Sequence, residues 1–371
     1  MKVGLVVTND CNLGCSYCYS PRKKVTVDPE IAKAFIDDGY LKTPAEELFD
    51  VNVIGGEALL KAGLLEDLFT YTLERYESHP GGIEFSLTTN GTLVNTPRAI
   101  ALFERFRSRL SVGVSIDGTK EAHDRNRIFH SGKGSWDQAV EGYRTLEAIG
   151  LKVLDVNATF GPDTAVDIQE SLIFLSDLTQ SNRLACNPVS EWIIDKNEAL
   201  RLANQFFEVF KHNNRHHPGK RIDGLNCNFN ALGHPSTPLS KEVNRSLAGY
   251  WCRVGQSNSA TLGYDGGVYP CNRFQNNDTM RLGKRTQSGY VPTPDRTARL
   301  LELADQFEFF PDECQRCALK QMCAYCIAAA YKDAPTPESV RAWFALKHPC
   351  GWTYARYLAE YLNNRGLYAF Y

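Results

Sequence analysis

The chain has 371 residues, 43% of them hydrophobic and 23% charged, with a formal net charge of −2. That length supports one large domain or two moderate ones, and the near-neutral charge gives no bulk attraction for nucleic acid or an anionic membrane. The opening MKVGLVVTND lacks the apolar run of a signal peptide, and no later stretch approaches the roughly 20 apolar residues of a membrane-spanning helix, so a cytoplasmic location is expected.

Residues 2–8 (KVGLVVT) form a near-continuous apolar run, as a strand buried on both faces should. Asp28 and Pro29 read as an N-cap and a first helical position, opening a helix to about residue 38. Residues 50–54 are a second strand, and Leu64, Leu65, Leu68 and Phe69 mark the helix after it. A third strand at 83–88 leads through Thr96-Pro97 into another helix, and a fourth strand follows at 110–115. Ser135 is expected to cap a helix ending at Gly150, before a fifth strand at 152–159 and a sixth at 183–189. Leu200, Ala203, Phe207 and Phe210 then repeat at helical spacing. Six βα units in succession predict an α/β fold with parallel strands and right-handed crossovers; since a closed barrel takes eight, a partial (β/α)6 TIM-like barrel is expected over residues 1–215.

From about residue 216 the pattern changes: Pro, Asn, Ser and Gly become frequent and the strands shorten. We expect a bridging region over 216–250 and a second domain over 251–371. Asp265-Gly266 predicts a tight hairpin that delivers Cys271 at the end of its second strand. Residues 351–364 predict a C-terminal helix with Tyr354, Tyr357, Leu358 and Leu362 on one face.

Twelve cysteines are unusual for a chain expected in a reducing compartment, where metal binding or catalysis is a better default than disulfides. Three fall within residues 11–18 and seven within 252–350, with Cys186 and Cys227 standing apart. Cys11-x3-Cys15-x2-Cys18 follows the first strand, at the end of the barrel where active sites form. Three thiolates hold three irons of a cubane and leave the fourth iron open for a chelating ligand, whereas structural clusters normally take four cysteines. Taken alone, such a triad is also compatible with zinc.

The CNLGCSYC segment resembles the signature loop of the radical S-adenosylmethionine (SAM) enzymes, with Tyr17 as the aromatic beside the last cysteine. Further polar motifs close the next strands. Gly55-Gly56-Glu57 resembles the family's Gly-Gly-Glu motif, which receives the methionine amino group; glycines permit close backbone approach and a carboxylate meets an ammonium. Thr89 and Asn90, within Thr88–Gly91, offer hydroxyl and amide groups to a ribose or to a network beside the cluster. Ser115-Ile116-Asp117-Gly118 followed by His123, Asp124 and Arg127 is also similar to the family, where a Ser and an Arg meet the methionine carboxylate; Asn157 is a further candidate for this pocket. Each motif alone could merely end a strand, but four at the ends of consecutive strands favour the radical enzyme.

In the tail, Cys252, Cys271, Cys314-x2-Cys317-x5-Cys323-x2-Cys326 and Cys350 are compatible with a zinc ribbon or paired zinc site when read alone. Beside a radical SAM barrel their order resembles the SPASM extension, an iron–sulfur domain expected here with a β-hairpin and short helices. The resemblance implies that Cys252, Cys271 and Cys326 hold a first auxiliary cluster and that Cys314, Cys317, Cys323 and Cys350 hold a second. Only two residues separate Cys323 from Cys326 where the family usually has three, which unsettles the place of Cys326. Seven cysteines for two cubanes leave one place short, so the first auxiliary cluster would have an open iron or another ligand, Cys227 among the candidates. Cys186 reads as a small buried hydrophobe.

The resemblance therefore implies three [4Fe–4S] clusters and SAM, reductive cleavage to a 5′-deoxyadenosyl radical, and hydrogen abstraction from a substrate carbon. SPASM enzymes mostly modify ribosomally made peptides or proteins, so crosslinking or oxidation of a peptide is expected, with Cys11, Cys15, Cys18 and Asp117 in catalysis and Asp117 and Asn272 lining the substrate end. Sulfatase activators that form formylglycine carry an Asp base where this chain has Asn272, which counts against that chemistry; Tyr269–Phe274 looks more like the peptide-crosslinking maturases. An electron donor such as flavodoxin or ferredoxin is implied as a partner. Because the chain opens on its first strand, either a separate leader-binding protein presents the precursor or the peptide is recognised without a leader. A small-molecule dehydrogenase of the same barrel, and a zinc-bound interaction protein, are the rival readings.

Overall fold

The computed structural model describes residues 2–179, 183–190, 192–223, 225, 259–275, 277–296 and 350–365, with a few single positions between 317 and 342. In chain order the first elements are β1 (Lys2–Thr8), α1 (Pro29–Tyr40), β2 (Phe49–Gly55), α2 (Ala62–Tyr76), β3 (Ile83–Thr89), α3 (Pro97–Phe106) and β4 (Leu110–Ser115). They continue with α4 (Lys120–Asn126), α5 (Trp136–Ile149), β5 (Lys152–Phe160), α6 (Ile168–Leu178), β6 (Arg183–Pro188), α7 (Lys196–His216) and β7 (Arg221–Asp223). Last come β8 (Ser259–Leu262), β9 (Gly267–Tyr269), β10 (Gly283–Thr286), β11 (Gly289–Pro292) and a C-terminal helix, α8 (Cys350–Asn364). All six strands expected from the apolar runs are present, with ends shifted by one residue or less.

The chain divides into two compact units. The first comprises residues 1–115, 126–154 and 254–303. Its strands run in the order β11-β10-β9-β8-β1-β2-β3-β4. β1 to β4 are parallel neighbours; β1 and β4 are buried nearly throughout, whereas β2 alternates buried residues with the half-buried Asp50 and Asn52. Asp28 accepts hydrogen bonds from the amides of Glu30 and Ile31 and starts α1 as the sequence predicts. Thr96 does the same for α3 through the Ala99 amide. Phe85 on β3 stacks on Phe69 of α2 and meets Phe106 of α3 edge-on, which locks two helices to one strand. Ser135 stands at the N-terminal position of α5, but its hydroxyl donates to the Arg127 carbonyl at 2.7 Å instead of capping the helix. The predicted hairpin turns at Asp265-Gly266, where Gly266 takes a positive φ of 79°. Its first strand, β8, pairs parallel to β1 from Lys2↔Ser259 to Leu5↔Leu262, an arrangement with no local mark in the sequence.

The second unit comprises residues 116–125, 155–253 and 304–371. Within it β5, β6 and β7 are parallel neighbours. α8 lies along α7, where Trp352 is sealed between Phe206 and Trp192 at ring distances of 5.0 and 6.1 Å. The buried face of α8 carries Trp352, Ala355, Arg356, Ala359 and Leu362, while Tyr354 is exposed. The four residues expected on one face lie at its border: Leu362 is buried, Tyr357 and Leu358 are half-buried and Tyr354 is exposed.

Candidate active site

The cysteine loop leaves β1 and is fastened by backbone rather than by packing alone. The Gly14 amide donates to the Ile128 carbonyl at 2.7 Å, the Ser16 amide to Asn126 at 3.1 Å, and Leu13 bridges Phe129. His130 Nε2 lies 3.0 Å from the Cys11 carbonyl, and Arg22 donates to the carbonyl of Cys15. Sequence reasoning missed this support by residues 126–130; of them it singled out only Arg127, whose guanidinium stands 5.5 Å from the Tyr17 ring. Cys15 is buried, Cys11 half-buried and Cys18 exposed.

Gly55 and Gly56 work differently from the sequence expectation. A Cβ at Gly56 would stand 2.4 Å from the Asp10 carbonyl oxygen, and one at Gly55 would stand 2.7 Å from that of Thr8. The Gly56 and Glu57 amides donate to those same carbonyls, each at 2.8 Å. The two glycines thus admit the segment that leads into Cys11, which ties the end of β2 to the cysteine loop.

Glu57 is buried, and its carboxylate accepts from the Thr89 hydroxyl at 2.8 Å, the Asn90 amide at 2.7 Å and the Leu59 amide at 3.0 Å. Burial nonetheless holds its pKa above the usual carboxylate value, the three donors opposing the shift. The Asn90 side chain donates to Asn12 Oδ1 at 2.9 Å and reaches Cys11 Sγ at 3.8 Å, while Asn12 donates to Thr92 at 2.8 Å. The ends of β1, β2 and β3 therefore form one hydrogen-bonded network against the first cysteine. Ser115 ends β4 in the same unit.

The Cys11 thiol is pushed up to about 12, chiefly by burial; the Leu13 amide opposes the shift, and the charges of Glu57, Cys15 and Cys18 add to it. A thiolate there needs a cation beside it, which an iron–sulfur centre supplies. Three cysteines on one loop after β1 are the donor set of a cubane ligated at three corners, with the fourth corner left open.

In the second unit, Asp117 is buried and accepts from the Thr159 amide at 2.9 Å, while its own amide lies 3.2 Å from His123 Nδ1. Gly118 has φ 118° and a Cβ there would stand 2.0 Å from Ser171, so only glycine turns the chain at this point. Asn157 accepts the Ile116 amide through its carbonyl and donates its side chain to Asp155 at 2.9 Å. Cys186 is fully buried, as expected, and its thiol is pushed up by burial and by the charge of Asp117.

Of the tail cysteines, Cys271 is half-buried after β9, Cys317 is exposed, and Cys350 is the exposed first residue of α8. Cys252, Cys314, Cys323 and Cys326, with Cys227, lie outside the described residues. Asn272 donates to the Tyr19 hydroxyl at 2.6 Å and Arg273 lies 4.6 Å over the Tyr19 ring. The segment after Cys271 is thereby held against the residue after Cys18. Among the described residues, no helix is long and apolar enough to cross a membrane.

Residues 5–175 match the family model of the Radical SAM superfamily. The chain is 26% identical over 330 residues to the serine-type anaerobic sulfatase-maturating enzyme of Klebsiella aerogenes, covering 84% of this chain and 76% of that one. Another relative, an uncharacterized protein of Methanocaldococcus jannaschii, is 34% identical over 148 residues, and this chain spans about half (49%) of its length. Among solved structures, native anSMEcpe with bound AdoMet and Kp18Cys peptide superposes with a TM-score of 0.64 at 17% identity, covering 98% of this chain and 100% of that one. Streptococcus suis SuiB bound to precursor peptide SuiA gives 0.62 at 15% identity, covering 91% and 74%. These likenesses establish the α/β partial-barrel fold.

Proposed function

We propose, from the match of residues 5–175 to the Radical SAM superfamily model, that the protein abstracts hydrogen from a peptide or protein substrate during its post-translational maturation, by crosslinking or oxidation. The observation that carries the reading is the network joining the ends of three parallel strands to the cysteine loop: Glu57, Thr89, Asn90 and Asn12 meet beside Cys11. When bound, a [4Fe–4S] cluster supplies the electron that cleaves SAM to methionine and a 5′-deoxyadenosyl radical. Cys11, Cys15 and Cys18 hold that cluster. Glu57 keeps the Thr89-Asn90 turn fixed and retains acceptor capacity on Oε2 for the methionine ammonium. Tyr17, Gly55, Gly56, Ser115, Arg127 and Asn157 complete the SAM-binding set, with Arg127 the cation for the methionine carboxylate. Asp117 is kept for the substrate, in a buried position where its charge counts.

A peptide substrate is supported by the relatives: similar solved chains are named with bound peptides, and the sulfatase-maturating relative aligns over most of the chain. Formylglycine formation is the weaker outcome, because Asn272 is no base and its amide is engaged with Tyr19. Cys252, Cys271 and Cys326, and Cys314, Cys317, Cys323 and Cys350, are assigned to two auxiliary clusters. A flavodoxin or ferredoxin would deliver the electron.

The test is anaerobic turnover with SAM and a chemical reductant. Cluster-loaded protein should release 5′-deoxyadenosine, and the Cys11/Cys15/Cys18→Ala variant should release none. A precursor peptide should raise the rate and gain a mass change of minus two hydrogens or of a crosslink. Turnover confined to a small sugar or amine sinks the peptide reading.

A further inference from the structure

The second unit carries a cluster of another donor type. Asp177 is the penultimate residue of α6, and His212 and His217 lie at the C-terminal end of α7. Both imidazole Nε2 atoms stand 2.7 Å from the same oxygen, Asp177 Oδ1. One donor atom from each of the three lies within 4.8 Å of the others, and among the described residues this is the one such group of three. The carboxylate is exposed and the two rings are half-buried, so the point on which they converge opens to solvent.

The two imidazoles do not take one carboxylate oxygen each; both converge on Oδ1, which brings three potential ligand atoms to one point. An ion with bonds of about 2.0 Å would part them from 2.7 Å to roughly 3.3 Å, a small opening for side chains at the surface. The rings are held before any ligand arrives. His212 lies 4.6 Å from the ring of His216, and the backbone of His217 is fixed by its amide bond to the Asn213 carbonyl at 2.8 Å. The opposing α6 end is fixed too, since Lys220 Nζ donates to the carbonyls of Ser176 and Thr179.

We propose that Asp177, His212 and His217 bind one divalent transition-metal ion of the zinc type, separate from the cysteine centres, with a remaining position open to water. Two imidazoles and one carboxylate suit zinc, cobalt or nickel. Calcium and magnesium demand more oxygen ligands than the group offers. No thiol belongs to the group, so it does not compete with the cysteines for iron–sulfur assembly. The ion ties the end of α6 to the end of α7, elements that otherwise meet through apolar packing and the Gln205 contacts to Gln169 and Ala165.

The test uses the full chain with its iron–sulfur centres reconstituted and cobalt(II) as the probe. Equilibrium dialysis against micromolar cobalt should load one ion that His212→Gln/His217→Gln does not take up, with iron and sulfide contents equal in both proteins. Its absorption should show the visible bands of nitrogen–oxygen ligation without thiolate charge transfer, and zinc should displace it. Asp177→Asn, an isosteric change at an exposed side chain, should weaken cobalt binding by at least about tenfold, and it keeps the test decisive if the histidine variant fails to fold. Equal cobalt uptake by wild type and variants, or uptake that carries thiolate bands alone, overturns the proposal.

Discussion

At the scale of single residues, Glu57 makes the sharpest demand on the molecule. Its carboxylate is removed from water and meets three donors, yet burial still holds its pKa above the usual value. The folded protein therefore binds this proton more tightly than the unfolded chain does. By linkage, the stability it contributes is fully present below the unfolded carboxyl pKa of about 4.3 and is lost as pH rises through the higher folded value. Denaturant midpoints of wild type and Glu57→Gln compared from about pH 8 to about pH 5 should show it, with the wild type gaining on the variant as pH falls. Parallel curves would mean that Glu57 does not titrate in a buried site. The same residue shows where sequence reading stops. Gly55-Gly56-Glu57 is visible as a motif, but its glycines face Asp10 and Thr8 of the chain itself, a relation between positions some 46 residues apart that no tripeptide reveals. The contribution of Asn126 and His130 is hidden for the same reason, since neither stands in a recognisable pattern.

Among elements, the first six strands were legible because burial on both faces writes an apolar run in β1 and burial of one face writes an alternation in β2. The caps of α1 and α3 were legible because Asp-Pro and Thr-Pro state their chemistry locally. The pairing of β8 with β1 was not, because parallel partners far apart in the chain leave no turn signal between them. The buried face of α8 was not legible, because Trp352 and small residues around a buried Arg356 form no apolar stripe in the sequence. Its buried and exposed positions differ in a measurable way. Trp352→Ala removes a fully buried ring and should cost about 3–5 kcal/mol, read as a lowered urea midpoint for the second unit. Tyr354→Ala should stay within about 0.5 kcal/mol of wild type, as an exposed position does. Reversal of that order would dismiss the packing described for α8.

On the scale of the whole molecule, the cysteines divide the chain's chemistry in a way that iron analysis can count. The triad is tied to the first unit by Glu57 and Asn90 through strand ends, so its loss should empty one centre and leave distant ones intact. Cys271 belongs to the same unit but is fixed separately, through Asn272 and Arg273 on Tyr19, while Cys317 and Cys350 belong to the second. If the tail holds two auxiliary cubanes, anaerobically reconstituted protein carries about twelve irons, and Cys11/Cys15/Cys18→Ala carries about eight. Cys350→Ala then lowers the iron content by up to about four while leaving SAM cleavage to 5′-deoxyadenosine detectable, because its cluster is not the one that meets SAM. A wild-type content of about eight, falling to about four in the triad variant, would reduce the tail to a single cluster and draw the protein toward the small-molecule dehydrogenases. Zinc in place of iron at the tail, with the triad still loaded, would separate the two halves of the cysteine pattern and leave a radical enzyme with a structural metal domain.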